Sequence, residues 1–246
     1  MKRLLVLGLL VVLASSASAA SGDEILARLD ETMQSGSREI VQQMTLISAK
    51  GQERTRQIQM WSSRGETDRM LVRFLSPADV AGTGLLSVGD DMWLYLPALG
   101  RVRRIAGHAK KGSFMGTDLS YEDMEEFGST GFAAGYSPEL IRTEQESYLL
   151  RLTPHSQDRG YQHLKMQVCR ERFLPLRIEY YAPDGSLVKV LTTMDFQQVQ
   201  GRPTAGKLIM EDVVKGSKTV LEQLKVDFEP DINEEMFSTR YLERGR

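Results

Sequence analysis

The feature that most restricts the fold is an alternation of side chains with a period of two, which recurs along most of the chain. It first runs through 40–47, 57–62 and 70–75, and Lys50-Gly51 and Arg64-Gly65 lie between these segments. A period of two places successive side chains on opposite faces of a strand, and short glycine-containing connections reverse the chain. These segments therefore predict an antiparallel meander.

The same alternation returns in the second half of the chain. Pro183-Asp184-Gly185 supplies the residues of a tight turn between two of its segments. In total we expect roughly ten strands, which is typical of a large curved sheet or barrel and predicts a mainly β fold. The segments of the second half are 148–152, 164–168, 176–180, 188–196, 207–213 and 219–228.

A short amphipathic helix is predicted before the first strand. Asp23 is a suitable N-cap, and Ile25, Leu26 and Leu29 recur at helical spacing. Gly36 marks the end of this segment. We therefore expect a few short helices to accompany the sheet.

The centre of the chain, from Gly107 to Gly131, is long and irregular and is rich in glycine, lysine and acidic residues. A connection of this length in a compact β domain is usually functional. Within it, 121–127 predicts a short helix with Ser120 as N-cap and Asp123 at its third position. A terminal helix is expected over 233–241.

The N-terminus has the pattern of a secretory signal peptide. Lys2 and Arg3 precede an apolar run from Leu4 to Leu13, and Ala17-Ser18-Ala19 supplies small residues for cleavage. The run is too short to cross a bilayer, which needs ~20 apolar residues. We expect cleavage after Ala19, a single exported domain over 20–246, and a periplasmic location.

Composition argues against several classes of function. The net charge is −2, so nothing favours nucleic-acid binding, which normally needs a basic surface. One cysteine and three histidines exclude zinc-finger metal clusters. The sequence contains no nucleophile elbow, phosphate-binding loop or zinc-protease motif. We therefore predict a protein that is not an enzyme and that needs no cofactor and no metal.

The central block carries a resemblance to a known family. It consists of DMWLYLPALGRVRRI (91–105) and KKGSFMGTDLSYEDME (110–125), and LSP at 75–77 precedes it. With these segments the chain resembles the outer-membrane lipoprotein-sorting proteins of the LolA-like superfamily, in an uncharacterised branch found beside inner-membrane exporters. The resemblance implies a curved antiparallel sheet that forms an incomplete, half-open β-barrel, covered by short helices and a long central loop.

The function implied by the resemblance is that of a periplasmic carrier. Its apolar cavity would bind lipid acyl chains or lipidated proteins and carry them between membranes, because each CH₂ group moved into water costs ~0.8 kcal/mol. The implied partners are lipid or lipoprotein cargo, an inner-membrane exporter and, transiently, a membrane, and we expect a monomer. The alternative is a non-carrier interaction module, such as an envelope-stress sensor or an accessory subunit of an exporter.

Methionines on the apolar faces of the strands suggest the lining of the cavity, because methionine adapts to ligands of varied shape. The other interpretation of these residues is an ordinary core. The predicted lipid-binding residues are Ile58, Met60, Met70, Val72, Phe74, Met92, Leu94, Met166, Val190 and Met210.

A lid is predicted at Phe114 and Met115, two large apolar residues between Gly112 and Gly116. Glycines on both sides suit a loop that moves over an apolar opening. Alternatively, these side chains fix the loop to the barrel.

A basic cluster precedes the lid, and we predict that it contacts a lipid head group or a partner. Two alternatives are a solvated edge strand protected by charge and a latch with the acidic segment that follows. Glu122 and Glu126 share a helix face in that segment, where a solvated face is favoured over a divalent-cation site. The cluster comprises Arg101, Arg103, Arg104, Lys110 and Lys111.

Overall fold

The computed structural model of the protein describes residues 20–33, 36–128, 131–156 and 158–245. The predicted signal peptide, residues 1–19, lies outside the described residues. Within the described ranges the chain forms thirteen strands: β1 (Ser37–Ile47), β2 (Glu53–Ser63), β3 (Arg69–Ser76), β4 (Gly84–Val88), β5 (Asp91–Leu96), β6 (Arg101–Arg104), β7 (Tyr136–Thr143), β8 (Ser147–Pro154), β9 (His163–Cys169), β10 (Pro175–Tyr181), β11 (Leu187–Val199), β12 (Arg202–Asp212) and β13 (Ser217–Asp227).

The helices of the described residues are short. They are α1 (Gly22–Met33), α2 (Tyr121–Gly128) and α3 (Thr239–Arg244), with 3₁₀ turns at Pro97–Leu99, Gly107–Lys111 and Glu234–Met236. The predictions of α1 and α2 are confirmed. The predicted helix over 233–241 is instead a 3₁₀ turn followed by α3, because the Ser238 hydroxyl accepts a hydrogen bond from the Tyr241 N–H and starts a new helix there.

The thirteen described strands form one antiparallel sheet in the order β6-β5-β4-β3-β2-β1-β13-β12-β11-β10-β9-β8-β7. Strands β1 and β13 pair at its centre, from Glu39 opposite Asp227 to Ile47 opposite Lys218. Strands β6 and β7 are consecutive in sequence but lie at the two edges of the sheet. The connection between them must therefore cross the open side of the sheet. We call this connection, residues 105–128 and 131–135, the cover.

The curvature of the sheet follows from where its apolar side chains meet. In β2, for example, Ile58, Met60 and Ser62 are buried and alternate with more exposed neighbours. Strands β1 to β5 and β7 to β13 each contribute to one buried apolar cluster, which we call the concave cluster. One face of a sheet this wide forms one cluster only if the sheet curls around it. The predicted fold, a curved antiparallel sheet left open on one side and covered by short helices and a long loop, is confirmed.

The convex face of the β3–β5 region is covered by the C-terminal residues. Leu71 and Leu86 on that face pack with Met236, Phe237 and Leu242 in a second, smaller apolar cluster. Arg73 Nη1 donates a hydrogen bond to the Leu242 carbonyl at 3.0 Å and so holds the end of α3. This part of the sheet is therefore packed on both faces.

Candidate functional site

The concave cluster contains nine of the ten residues predicted to line a cavity. Opposed pairs in the sheet register show why, since Ile58 faces Phe74 and Met60 faces Val72 across β2 and β3. Directly opposed residues of an antiparallel pair project from the same face. The nine residues are Ile58, Met60, Met70, Val72, Phe74, Met92, Leu94, Met166 and Met210.

The tenth predicted residue, Val190, is buried outside the concave cluster. Its neighbour Leu191 belongs to the cluster instead, and it lies opposite both Ile178 and Met210, which are also members. Val190 lies opposite Glu179 on β10 and Glu211 on β12, and directly opposed residues project from the same face, so Val190 shares the face of these two charged residues. The structure therefore places Leu191, and not Val190, beside the other nine.

Several members of the concave cluster were not predicted as lining residues. The prediction favoured methionines and therefore omitted leucines in β8 and β9, although these leucines occupy the same alternating face of their strands as Met166. The same alternation would have identified most of them. The additional members on the strands include Met44, Leu85, Leu150, Leu152, Leu164, Val168, Ile178, Tyr180 and Leu221.

The predicted lid residue Phe114 lies inside the concave cluster and is fully buried. Its ring centroid is 5.7 Å from that of Phe74 on β3 and 5.5 Å from that of Tyr121 at the start of α2, in an edge-to-face arrangement with the latter. The cover thus sends an aromatic side chain into the space enclosed by the sheet. The two predicted roles of this segment were a lid and a loop fixed to the barrel. Both are compatible with a Phe114 side chain buried in the interior.

Met115 and Gly116 turn the cover sharply at this point. Their φ angles are 50° and 77°, in the left-handed region that favours glycine. Met115 packs against the concave cluster, and its carbonyl accepts a hydrogen bond of 2.7 Å from Nη1 of Arg56 on β2. A strand on the wall of the sheet therefore holds the cover beside Phe114.

Asp118 attaches the cover to β13. Its carboxylate accepts hydrogen bonds from the hydroxyls of Ser217 and Thr219, and its N–H donates to Thr219 Oγ1 at 2.9 Å. Asp118 is 8% exposed and Thr219 is fully buried. Because a buried carboxylate is stable only with hydrogen-bond donors around it, these two hydroxyls are required where the cover meets the sheet.

Asp123 combines the capping of α2 with a buried ion pair. The Ser120 hydroxyl accepts from the Asp123 N–H, while the Ser120 N–H donates to the Asp123 carboxylate, so the predicted capping box is confirmed. The same carboxylate accepts hydrogen bonds from Lys189 Nζ on β11, at 2.8 Å, and from the Tyr161 hydroxyl, at 3.0 Å. Burial and the charge of Asp123 raise the pKa of Tyr161, which therefore keeps its proton as the donor.

Glu126 forms a further contact between α2 and the opposite side of the sheet. Arg159 Nη1 lies 3.1 Å from Glu126 Oε1 and also donates to the Tyr136 hydroxyl at 3.0 Å. Burial raises the pKa of Glu126 to about 7, and the charge of Arg159 opposes this rise. The carboxyl group therefore titrates near neutral pH inside the contact.

A cleft of about 1300 Å³ runs between α2 and the strands at the β3–β5 side. Met70 of the concave cluster and Ser87 contribute to its lining, and charged side chains from both sides surround them. Lys110 Nζ crosses to donate to Glu125 Oε1 and to the Asp90 carbonyl, both at 2.7 Å. The predicted pairing of basic and acidic segments therefore occurs at Lys110.

The structure separates the five predicted basic residues into two groups. Arg104, Lys110 and Lys111 line the cleft, and Arg104 pairs with Asp91. Arg101 and Arg103 are exposed on the edge strand β6, where they do not belong to the cleft lining. Charge on an exposed edge strand discourages pairing with other chains. Arg101 and Arg103 therefore fit the alternative interpretation of the cluster, a solvated edge strand protected by charge.

Two further observations bear on the class of protein. Over the described ranges, groups of three or more histidine, cysteine, aspartate or glutamate side chains placed to hold a metal ion are absent. Among the helices that the structure describes, none has the length and apolar character needed to cross a membrane.

The chain is similar to known proteins through one family model and through solved structures. A protein-family model described as an uncharacterized protein matches residues 66–244. Among solved structures, the chain is similar to a domain assigned as an outer membrane lipoprotein-sorting protein from Vibrio parahaemolyticus. The two share 29% sequence identity at a TM-score of 0.84, over 91% of this chain and 98% of that chain. No curated protein sequence matches the chain.

Two other solved structures agree. A DUF1329 family protein from Desulfovibrio piger has 28% identity and a TM-score of 0.84, over 90% of this chain and 97% of that chain. A LolA superfamily protein from Nitrosomonas europaea has 24% identity and a TM-score of 0.76, over 91% of this chain and all of that chain, and supports the fold alone.

Proposed function

The chain belongs to the LolA-like superfamily of outer-membrane lipoprotein-sorting proteins, in a family of uncharacterized proteins, and from this premise we propose that it carries lipid acyl chains or lipidated proteins between membranes. One observation carries the proposal. The apolar concave face is closed by a connection that is attached through side-chain hydrogen bonds and ion pairs, and a phenylalanine of that connection occupies the interior.

The concave cluster has the chemistry that an acyl chain requires. An acyl chain loses ~0.8 kcal/mol for each CH₂ group exposed to water, so its transfer through the periplasm needs a continuous dry surface. Met44, Met60, Met70, Met92 and Met166 lie together on that surface. Methionine has three rotatable bonds and a polarizable sulfur, so these residues can repack around chains of different shape. We infer binding, and not catalysis, from this surface.

The contacts that hold the cover suit a reversible opening. The Arg56 bond to the Met115 carbonyl, the Asp118 bonds to β13 and the Lys110–Glu125 pair all join the cover to other parts of the fold through polar groups. Each such contact involves a charged group and exchanges for hydrogen bonds to water on opening, at a net cost of about 1.5–3 kcal/mol. We propose that cargo enters as these contacts break and Phe114 leaves the concave cluster.

Export to the periplasm is part of the proposal. It rests on the basic, apolar and small-residue pattern of residues 1–19, with cleavage after Ala19 and one domain over 20–246. We further propose that the protein acts as a monomer and that an inner-membrane exporter supplies its cargo. Edman sequencing of the protein from a periplasmic extract gives the cleavage site directly, and any N-terminus other than Ala20 contradicts our assignment.

The experiment that tests carriage is lipid extraction of the protein purified from its native periplasm, followed by mass spectrometry. We expect co-purified acyl chains and saturable uptake of a fluorophore-labelled palmitate. Met60→Glu places a charge in the concave cluster and should abolish uptake. Leu224→Glu is the matched control, because Leu224 is 57% exposed. A protein that contains no lipid and ignores the palmitate probe would refute carriage.

The exposed edge strand β6 favours a second candidate function. Arg101 and Arg103 project from this edge into solvent, where their guanidinium groups can pair with carboxylates of a protein partner. In that case the protein is an envelope-stress sensor or an accessory subunit of an exporter. Photo-crosslinking from position 103 in cells distinguishes the two functions, because the second one predicts a protein adduct that forms whether or not the concave cluster is loaded.

A further inference from the structure

The exposed large apolar side chains of the described residues gather at one end of the sheet. Because neighbouring strands are antiparallel, the connections β1–β2, β3–β4, β5–β6, β8–β9, β10–β11 and β12–β13 all emerge at the same end, which we call the tip end. Six such side chains are exposed in the described ranges. Four of them lie in these connections or next to them: Leu75, Leu99, Val213 and Val214.

The β12–β13 connection, residues 213–216, presents its valines in a fixed shape. Val213 is 49% exposed and Val214 is 75% exposed. The Asp212 carboxylate accepts hydrogen bonds from the N–H groups of Val214 and Lys215, at 3.1 and 2.9 Å, and from Lys215 Nζ at 2.6 Å. The Val213 N–H donates to the Val188 carbonyl of β11 and the Gly216 N–H to the Asp212 carbonyl, so each N–H of the turn has an acceptor. The turn is thereby fixed while the two valine side chains remain exposed.

The neighbouring β1–β2 connection, residues 48–52, extends this surface. A Cβ atom built on Gly216 would lie 3.7 Å from the Cβ of Ala49, so the two hairpin tips touch. Ala49 and Lys50 are exposed at that contact, and the Lys215 side chain is 65% exposed. Two adjoining tips thus combine small apolar side chains with lysines.

Lysines border the exposed valines at the tip end. The connections at the tip end contain three basic and three acidic residues. Those at the opposite end, residues 64–68, 89–90, 144–146, 170–174 and 200–201, contain six carboxylates and three arginines. At the opposite end the cleft also places Arg104, Lys110 and Lys111 beside residues 65–69 and 89–91, so its carboxylates lie next to basic side chains. At the tip end Lys50 and Lys215 stand beside the valines, where they can contact anionic head groups.

We propose that the tip of the β12–β13 hairpin inserts into the head-group region of an anionic bilayer, with Val213 and Val214 below the phosphates and Lys50 and Lys215 at their level. Exposed apolar side chains bordered by lysine are the features by which soluble proteins bind such a surface. This inference rests on the proposed function, because a carrier must meet a membrane to exchange cargo. The same hairpin holds the cover, since Ser217 and Thr219 bind Asp118.

Flotation with vesicles of phosphatidylethanolamine and phosphatidylglycerol tests this inference. We expect the wild-type protein to float with the vesicles and the double variant Val213→Ser, Val214→Ser to partition roughly tenfold less. Leu224→Ser, at a side chain on β13 that is 57% exposed, is the matched control and should float like the wild type. Failure of the wild type to bind vesicles, or equal loss in both variants, would overturn the proposal.

A second readout places the hairpin at the bilayer independently of folding. Val214→Trp should show a blue shift of its fluorescence with vesicles, and Leu224→Trp should not. An unshifted Val214→Trp contradicts insertion. Palmitate uptake, measured on the same serine variants, separates the two proposals: normal uptake without vesicle binding contradicts only the membrane contact, whereas absent uptake in the wild type contradicts carriage.

Discussion

Phe114→Ala distinguishes an interior that is permanently packed from one that cargo enters. The Phe114 ring is fully buried and contacts Phe74 and Tyr121, so its removal leaves a large void in the concave cluster. Truncation of a buried phenylalanine to alanine costs about 3–5 kcal/mol. We therefore expect the free energy of unfolding of the cargo-free protein to fall by about 4 kcal/mol.

The same variant should bind acyl chains more tightly. In the wild-type protein, cargo that occupies the interior must displace a side chain whose burial contributes about 2–3 kcal/mol. Alanine at 114 removes that competition. Since 1.4 kcal/mol corresponds to a factor of ten, the affinity for a labelled palmitate should rise roughly 30- to 140-fold.

Urea unfolding gives the loss of stability, and a fluorescence titration with labelled palmitate gives the affinity. Phe237→Ala is the matched control, because Phe237 is 8% exposed and packs in the second apolar cluster on the convex face, outside the concave cluster. It should lose stability without gaining affinity. Equal or weaker palmitate binding by Phe114→Ala, together with the expected loss of stability, would show that cargo does not replace this ring.

Three further predictions concern other contacts. Burial raises the pKa of Glu126 to about 7 from an ordinary value of 4.5, so its ionisation destabilises the fold as the pH rises through this window. Glu126→Gln should therefore gain stability relative to the wild type as the pH rises from 4.5 to 7, on the order of 3 kcal/mol at most. A difference in the free energy of unfolding, measured in urea, that stays constant over this pH range would contradict this. Asp118→Ala leaves two hydroxyls of β13 without their acceptor. It should lower the free energy of unfolding by about 1–3 kcal/mol and speed amide hydrogen exchange in residues 113–120. Unchanged exchange would exclude Asp118 as an attachment of the cover. A Cβ on Gly84 would lie 2.6 Å from Leu242 Cδ1, so Gly84→Ala should lower stability by about 1–3 kcal/mol and expose the C-terminal residues to protease, while a neutral effect would mean that α3 shifts freely.

Sequence patterns predicted those elements that depend on residues close to one another in the chain. The start of α2 depends on Ser120 and Asp123, three residues apart, so its capping box was visible without any knowledge of the fold. Strand β4, by contrast, was not predicted. Leu85 faces the concave cluster and Leu86 faces the C-terminal residues, so β4 is buried on both faces and lacks the alternation that identifies a strand.

Distant contacts explain the remaining differences. Val190 and Leu191 lie on opposite faces of β11, and alternation along a strand with apolar residues on both faces does not show which face is concave. Only the pairing partners, Glu179 for Val190 and Ile178 for Leu191, show which one faces the interior. Similarly, the burial of Phe114 follows from the positions of β6 and β7 at opposite edges of the sheet, and no segment of sequence contains this information by itself.

For the proposed carriage of acyl chains, the attachment of the cover at both ends has a consequence for the release of cargo. Because β6 and β7 anchor the cover at the two edges of the sheet, Phe114 is a tethered competitor, and its effective concentration at the interior is unaffected by dilution of the protein. Under the proposed function, cargo and phenylalanine exchange on the same molecule. The affinity for cargo is set by the difference between the free energies with which cargo and the Phe114 side chain occupy the interior. A modestly stronger acceptor can therefore unload the protein without an external source of energy. The emptied interior then closes again in a unimolecular step.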